Sequence, residues 1–295
     1  MRRQRGLSPD DVSIYATLAC LLEASAPKPG NVAPGRPFRD TTYEDFVVSA
    51  VAIGPVLGAA GGVALGRTIR EAVRVTRAWT SANTNLGIIL LLGPLARAAR
   101  VGSGTLRERL QSVLAATTVA DAHEVYAAIR EAEPGGLGEV DAEDVRQAPT
   151  VTLLEAMGLA AGRDAIASEY VSGFDLTFGT GLPALRAARH DGLTWPDAVV
   201  AAFLALLAAR PDTLIARKLG PAEAARISER AGELLRIGGP RTPAGREALA
   251  AFDAELRDPQ NSRNPGTTAD LTAAAVFVAL LEDGWQGDRG SRRAQ

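Results

Sequence analysis

Several chemically useful residue types are scarce in this chain. Its 295 residues include only two lysines, two histidines, five asparagines and one cysteine. A lone cysteine excludes an internal disulfide and is typical of a reducing compartment, so we expect a cytoplasmic protein. With so few histidine and cysteine side chains a zinc site is not expected, and any metal would be a hard ion held by carboxylates and phosphate.

The chain also lacks a strong charge of either sign. Its formal net charge is −2, and its arginines are spread over the whole sequence. No basic stripe of the kind that binds nucleic acid or an anionic membrane stands out, so neither partner is expected. The first five residues are basic but lead into Ser8-Pro9-Asp10-Asp11 and not into an apolar core, which is not typical of a signal peptide.

Strand-like alternation of apolar and polar residues is missing as well, and helix signals recur instead. Ser8 is placed to cap a first helix, with Pro9 at its first position and Asp11 three residues after the cap. Abundant alanine and glycine favour closely packed helices. We therefore predict an all-α fold of about a dozen helices in a single domain over residues 1–295, with frayed ends at about 1–6 and 284–295.

The predicted helices are separated by glycine-rich and proline-rich breaks. Helices are expected at about 8–24, from 42 onwards, and at 67–79, 84–100, 105–118, 121–132, 150–162, 182–190, 195–210, 221–236, 243–256 and 267–282. Breaks are expected at Gly102-Ser103-Gly104, Pro134-Gly135-Gly136, Gly179-Thr180-Gly181 and Gly238-Gly239-Pro240. The uncharged run Val47 to Leu65 approaches membrane-spanning length, but it contains Pro55 and four glycines, so we predict a buried core helix broken near Gly54-Pro55.

The rare polar residues are clustered. All five asparagines and both lysines fall in the segments Lys28-Pro29-Gly30-Asn31, Asn83-Thr84-Asn85, Ala216-Arg217-Lys218 and Asn261-Ser262-Arg263-Asn264. An amide both donates and accepts hydrogen bonds, and an ammonium meets phosphate as a compact charge. We predict one polar site assembled from distant parts of the chain. The alternative is that asparagine occupies helix caps and turns, which explains single positions but not why other caps use Ser, Thr and Asp.

The first two segments lie where predicted helices end or begin. Pro27 and Pro29 stiffen a loop that presents Lys28, which suits a phosphate, although a surface turn with a solvated lysine fits equally well. Asn83-Thr84-Asn85 precedes a strongly apolar helix. Capping that helix requires one of the three polar side chains, so the other two are expected to face whatever adjoins its positive end.

Carboxylates accompany the later segments. Asp212 precedes Arg217 and Lys218, a grouping that also fits an exposed ion pair. Gly266 leads to Asp270 in the first turn of the last predicted helix, where a helix start and a ligand loop are equally good interpretations. His123 is interpreted as a surface histidine and not as a base.

In order and spacing these segments resemble the triphosphoribosyl-dephospho-CoA synthase family over most of the chain. Pro27 to Gly30 matches the family's Pro-Lys-Pro-Gly loop, and Pro265 to Asp270 matches its Pro-Gly-Gly-Ser-Ala-Asp element. The other matching stretches are Phe38-Arg39-Asp40 for His-Lys-Asp, Asn83-Thr84-Asn85-Leu86-Gly87 for Asn-Thr-His-Lys-Gly, and Asp212-Thr213-Leu214 for Asp-Thr-Asn. Phe38 and Asn85 thus replace two family histidines, Leu86 replaces a lysine and Leu214 an asparagine, so the family's substrate is not carried over with the motifs.

The resemblance implies a transferase that uses ATP in an unusual way. An acceptor hydroxyl attacks C1′ of the ATP ribose, adenine leaves, and the triphosphate travels with the sugar, through an oxocarbenium-like state by analogy with glycoside transfer. This requires a carboxylate, cations for the triphosphate and donors for the departing base. The candidate catalytic residues are Asp40, Asp212 and Asp270, with Mg²⁺ expected at Asp212 and Asp270. The candidate ATP-binding residues are Lys28, Asn31, Asn83, Thr84, Asn85, Arg217, Lys218, Arg263 and Gly266.

Three functions are consistent with these residues. The first is transfer of triphosphoribose to 3′-dephospho-CoA. The second keeps this donor chemistry but uses a pterin or ribitol acceptor, because the Asn-Thr-Asn-Leu-Gly form resembles a branch associated with tetrahydromethanopterin metabolism. The third is a non-catalytic helical protein that retains a nucleotide site. The sequence leaves the acceptor and the oligomeric state open.

Overall fold

The computed structural model describes residues 6–132 and 145–285, and this part of the chain is built from α-helices. The described residues contain no strand, and their single extended pairing is an isolated bridge between Ala33 and Arg36. The predicted all-α class is confirmed. The helices are α1 Pro9–Ser25, α2 Tyr43–Gly58, α3 Leu65–Arg77, α4 Leu86–Arg100, α5 Leu106–Ala115, α6 Val119–Ala132, α7 Leu153–Ala160, α8 Ala165–Ser172, α9 Leu182–His190, α10 Trp195–Ala209, α11 Thr213–Leu219, α12 Pro221–Arg236, α13 Pro243–Leu256 and α14 Gly266–Asp283.

The last helix lies at the centre of the fold. Every residue of α14 from Leu271 to Leu281 is buried, as expected of a helix that is apolar on all faces. Helices α1, α4, α9 and α10 pack around it, and α4 and α10 are themselves almost wholly apolar. The start of α14 is therefore held in a fixed position relative to these neighbouring helices.

The predicted break near Gly54-Pro55 is wrong, because α2 continues through Pro55 to Gly58. The glycines serve close packing against α1 instead. A Cβ on Gly54 would lie 2.3 Å from the Thr17 hydroxyl, and one on Gly58 would lie 2.6 Å from the Pro9 carbonyl oxygen. The proline removes one backbone donor but keeps a helical φ, so tertiary packing outweighs its cost.

By length and composition alone, Tyr43–Gly62 meets the criteria for a membrane-crossing helix, and Trp195–Ala209 with Thr213–Leu219 meets them only as one bent pair. In Tyr43–Gly62, 39% of the most apolar window is buried inside the protein. Its inner face contributes Ile53 and Leu57 to the core. Core helices meet the same criteria, so this finding is weak evidence for a membrane span.

Two other differences concern local structure. The predicted break at Gly179-Thr180-Gly181 is wrong, because residues Thr177–Gly181 form a π-helical turn that runs into α9. A Cβ on Gly181 would lie 2.9 Å from the Cβ of Ala275, so this glycine permits contact with α14. Helices α8 and α11 are absent from the predicted set, since their eight and seven residues are too few to show a clear period. The predicted break at Pro134-Gly135-Gly136 lies outside the described residues.

The two predicted frayed ends are described only in part. Near the C-terminus the Trp285 ring stacks on Trp195, with ring centroids 5.4 Å apart. This contact links the segment after α14 to the first turn of α10.

Candidate active site

One cavity of about 940 Å³ lies where four helices begin. Its wall includes Leu86 of α4, Ile166 of α8, Leu214 of α11 and Gly266 of α14, each within the first two residues of its helix. Helix N-termini carry partial positive charge and unpaired N–H groups, which favour bound anions. The size is at the upper end of the range of about 300–1,000 Å³ that is typical of small-molecule sites.

All the lysines and asparagines of the chain line this cavity. They are Lys28, Lys218, Asn31, Asn83, Asn85, Asn261 and Asn264. Of the other candidate residues, the structure brings Asp40, Thr84, Arg217, Gly266 and Asp270 to the same wall, but not Asp212 or Arg263. Residues more than 240 positions apart in sequence thus share one surface.

The loop that carries Lys28 does not present a free ammonium. Lys28 is 1% exposed, and its Nζ lies 2.9 Å from Oε1 of Glu23. The ammonium also donates to the backbone carbonyls of Glu23 and Ala26. Since an ammonium has three donors, all of them are used within the protein. Lys28 is therefore neither a solvated surface lysine nor a free phosphate ligand.

The same loop is tied to α13. Gly30, at a φ of +71°, donates its backbone N–H to Oδ1 of Asp253 over 2.8 Å. Arg257 pairs with the same carboxylate and donates to the Asn31 carbonyl over 2.6 Å. These bonds fix the position of the Lys28–Glu23 pair on the cavity wall.

The segment before α4 is bonded to the protein at each polar residue. Oδ1 of Asn83 accepts from Leu86 N–H over 3.3 Å, the Thr84 hydroxyl lies 2.6 Å from that of Ser49, and Asn85 donates to Thr76 over 3.2 Å. Capping thus uses Asn83, while Thr84 and Asn85 also line the cavity and bond neighbouring helices. Among the described residues, the Asn83 amide nitrogen and the Asn85 carbonyl oxygen retain unused hydrogen-bonding capacity at the cavity wall.

Asp270 lies against the first turn of α4, and Gly87 makes room for it. A Cβ on Gly87 would lie 2.0 Å from Oδ2 of Asp270 and 2.7 Å from Ile166. Burial, followed by the nearby carboxylate of Glu23, raises the pKa of Asp270 well above its ordinary value. Within the described part of the chain no group donates a hydrogen bond to this carboxylate. A carboxylate with high proton affinity on a cavity wall is suited to take a proton from a bound hydroxyl.

Asp212 was predicted to be catalytic and to bind metal, but in the structure it does not line the cavity. Its Oδ1 caps α11 by accepting from Leu214 and Ile215, at 2.8 and 3.1 Å. Its Oδ2 accepts from the backbone and hydroxyl of Thr268, at 2.7 and 2.8 Å. These four bonds use the whole acceptor capacity of the carboxylate. Asp212 therefore joins α11 to α14 and leaves no oxygen for a metal.

A protein-built Mg²⁺ site at Asp212 and Asp270 does not fit these residues. Across residues 6–132 and 145–285, no three His, Cys, Asp or Glu side chains are grouped to hold a metal. Arg263, predicted to bind ATP, also lies off the cavity, because its guanidinium bonds Glu223 over 2.7 Å and lies 3.9 Å from Asp258.

The cavity rim carries cations that are more open than Lys28. Lys218 is exposed and donates to the Asn261 carbonyl over 3.3 Å, and Arg217 pairs with Asp164 over 2.6 Å. Partial desolvation of its ammonium lowers the pKa of Lys218, while the charge of Asp212 opposes that shift. Asp40 lies exposed on the same rim and accepts from the Thr41 hydroxyl over 3.2 Å.

An apolar surface faces these polar groups. It is formed by α6 and α7 through Tyr126, Ile129, Leu153, Met157 and Leu159. A cavity with a charged rim and an apolar side can hold a molecule that has both characters, such as a nucleotide.

The family model described as CitG, ATP:dephospho-CoA triphosphoribosyl transferase, matches residues 9–289. The chain belongs to this family. The membership confirms the resemblance found in the sequence motifs.

Individual relatives of the CitG family agree. A probable 2-(5''-triphosphoribosyl)-3'-dephosphocoenzyme-A synthase of Stutzerimonas stutzeri is 28% identical over 211 residues, covering 72% of this chain and 64% of the relative. One of Pseudomonas putida is 37% identical over 106 residues, covering 36% of this chain and 37% of the relative. The match thus spans less than two thirds of either relative. A crystal structure from Archaeoglobus fulgidus, named for a triphosphoribosyl-dephospho-CoA synthase, superimposes with a TM-score of 0.62 at 29% identity and covers 81% of this chain and 99% of that one.

Three charged residues that line this CitG-family cavity were not predicted from the sequence. Glu23 lies on α1, five residues before Lys28, and only its burial reveals it as the partner of that lysine. Arg163 and Asp164 lie in the turn before α8. Asp164 caps that helix by accepting from Ala167, so an Asp before a short apolar run was an available signal.

Proposed function

We propose that the protein transfers the 5-triphosphoribosyl group of ATP to an acceptor hydroxyl with release of adenine, and that the acceptor is 3′-dephospho-CoA. The observation that carries this proposal is the cavity that gathers all the lysines and asparagines of the chain at four helix N-termini, in a member of the CitG family. The curated relatives are named for this product. The buried lone cysteine fits the cytoplasmic location proposed with it.

Asp270 is the residue best placed to act as the base. Burial raises the pKa of both Asp270 and Asp212, but Asp270 lies on the cavity wall with its carboxylate free of hydrogen bonds from the described residues, whereas Asp212 is fully hydrogen-bonded. Asp40 is exposed. In the proposed step the acceptor oxygen forms a bond to C1′ and the bond from C1′ to adenine breaks. The hydroxyl proton passes to Asp270, and the leaving nitrogen of the base takes up one proton from solvent, so that neutral adenine is released. The open groups of Asn83 and Asn85 are placed to hydrogen-bond ribose or adenine.

Mg²⁺ is proposed to enter with ATP as part of the substrate. The protein offers no full ligand set for it within the described residues, and its chemistry there would be to neutralise phosphate charge. The cations at the rim then hold the triphosphate, which stays on the sugar throughout.

A second acceptor is favoured by three lining residues. Phe38, Asn85 and Leu86 line the cavity where the family pattern has two histidines and a lysine. Loss of those polar groups changes the surface available to the acceptor but not the donor chemistry. A pterin or ribitol acceptor is therefore the alternative to dephospho-CoA.

The test is incubation of the protein with Mg²⁺, ATP and each acceptor, followed by chromatography of the bases and nucleotides. Free adenine in equal amount to the transferred triphosphoribose is the expected result, with dephospho-CoA giving the highest turnover. Adenine release only with a pterin or ribitol compound would select the alternative acceptor. Release of ADP, or tight ATP binding without any adenine, would contradict the transferase and indicate a different nucleotide-binding role.

A further inference from the structure

Four cationic side chains line the cavity in the part of the chain that the structure describes, and they differ in availability. Lys28 is enclosed by Glu23 and two carbonyls. Arg217 pairs with Asp164 over 2.6 Å, and Lys218 donates to a backbone carbonyl over 3.3 Å. Arg163 is exposed, and no described residue pairs with its guanidinium or accepts a hydrogen bond from it.

The backbone at Arg163 is fixed although its side chain is not. The N–H groups of Arg163 and Asp164 both donate to the Ala160 carbonyl over 3.0 Å, which forms a tight turn between α7 and α8. The carboxylate of Asp164 then caps α8 and holds Arg217. Arg163 and the Asp164–Arg217 pair thus adjoin one turn and line the same cavity.

The charge balance of the wall gives Arg163 a particular role. Glu23 pairs with Lys28 and Asp164 pairs with Arg217, so these two ion pairs add no net charge. Arg163 and Lys218 are the lining cations that remain outside ion pairs in the described structure. Of the two, only arginine offers a planar fork that matches phosphate oxygens in a bidentate way and keeps its charge at all working pH values.

We propose that Arg163 is the principal side-chain anchor for the triphosphate of the donor. This assignment rests on the proposed function, and it replaces Lys28 as the main phosphate contact. It places the triphosphate at the rim beside α8, with Lys218 as a secondary contact. The ribose then extends toward Asp270 on the inner wall.

The test is calorimetric binding of ATP and of adenosine to the full-length chain without acceptor, so that no turnover is needed. Arg163→Gln is expected to weaken ATP binding by about 10- to 100-fold, the scale of a lost hydrogen bond between charged groups. Adenosine binding should be unchanged, because it carries no phosphate. Arg163→Lys should restore only part of the loss, because an ammonium lacks the fork.

Arg67→Gln is the matched control, since Arg67 is an exposed arginine of α3 that does not line the cavity. It should bind ATP as the wild type does. Normal ATP binding by Arg163→Gln, or an equal loss of ATP and adenosine, would overturn the assignment while leaving adenine release as a separate test of the proposed function. A wild-type protein that binds no ATP would overturn both.

Discussion

The two lysines of this chain line the same cavity but do different things. Lys28 is 1% exposed, and its ammonium is saturated by one carboxylate and two backbone carbonyls. Lys218 is exposed on the rim, with a single weak bond of 3.3 Å to a carbonyl. Residue type alone would make both of them phosphate ligands. Burial and partners decide whether the charge is available to a ligand.

The same contrast separates the inner wall from the rim. Glu23 and Lys28 form a buried ion pair and Asp270 packs against Gly87, so we expect a change there to affect folding or the proposed chemical step. Arg163, Arg217 and Lys218 lie at the rim, where we expect a change to affect nucleotide binding. Substitutions on the inner wall and at the rim should therefore have different effects.

The largest effect is expected from Lys28→Met. It leaves Glu23 buried without its cation, which typically costs about 3–5 kcal/mol in the free energy of unfolding. Urea unfolding followed by circular dichroism measures this. The double variant Glu23→Gln with Lys28→Met should recover most of the loss, because no unpaired charge remains. If the Lys28→Met protein instead has normal stability and a raised KM for ATP, Lys28 would be a phosphate ligand.

Asp270→Asn comes next. Removal of a catalytic base typically lowers turnover by about 10²-fold or more, and ATP affinity should persist because the phosphate contacts lie at the rim. Adenine release and calorimetry measure the two effects separately. Asp40→Asn is the control carboxylate and should lose far less. Equal losses in the two variants would contradict the assignment of Asp270.

These contrasts show how far the sequence could lead. The long apolar helices and the clustering of asparagine and lysine could be predicted, because composition and hydrophobic periodicity do not depend on tertiary contacts. The sequence could not show whether each polar side chain is free to bind a ligand. Asp212 precedes a helix in a pattern that suits both a helix cap and a metal ligand. Only the four hydrogen bonds that its carboxylate accepts in the structure identify it as a cap.

The pairing of Glu23 with Lys28 was hidden for a related reason. A glutamate on a helix normally points to solvent, and nothing in the local pattern signals that Glu23 is buried. Arg163 was missed because α8 was missed. Short helices carry too few residues to show a period, although Asp164 at the cap and Gly173 after the end mark both boundaries.

Gly87→Ala gives a smaller effect on the inner wall. The new methyl would lie 2.0 Å from Asp270, so the carboxylate must move, and overpacking of this kind typically costs about 1–3 kcal/mol. Lower turnover with a lower thermal midpoint is expected. Gly158→Ala on α7, where nothing lies within 4 Å of the added Cβ, should be neutral or stabilising. Equal behaviour of the two alanine variants would argue against contact between Gly87 and Asp270.

The smallest effect concerns the pH dependence of ATP binding, and it arises at Lys218. Desolvation lowers the pKa of Lys218, so its ammonium loses the proton at a pH below that of an ordinary lysine, about 10.4. Below the lowered pKa the charge is present and assists the triphosphate. As the pH rises through that pKa the charge is lost, and affinity should fall by up to about fivefold, the scale of an exposed ion pair. Calorimetry from neutral to alkaline pH measures this fall.

Lys218→Arg should flatten the profile, because a guanidinium stays charged over that range. The variant leaves Lys28 as the one lysine of the chain. An unchanged fall in Lys218→Arg would therefore show that the affinity does not depend on the charge of Lys218, and would contradict its role as the available lysine of the cavity.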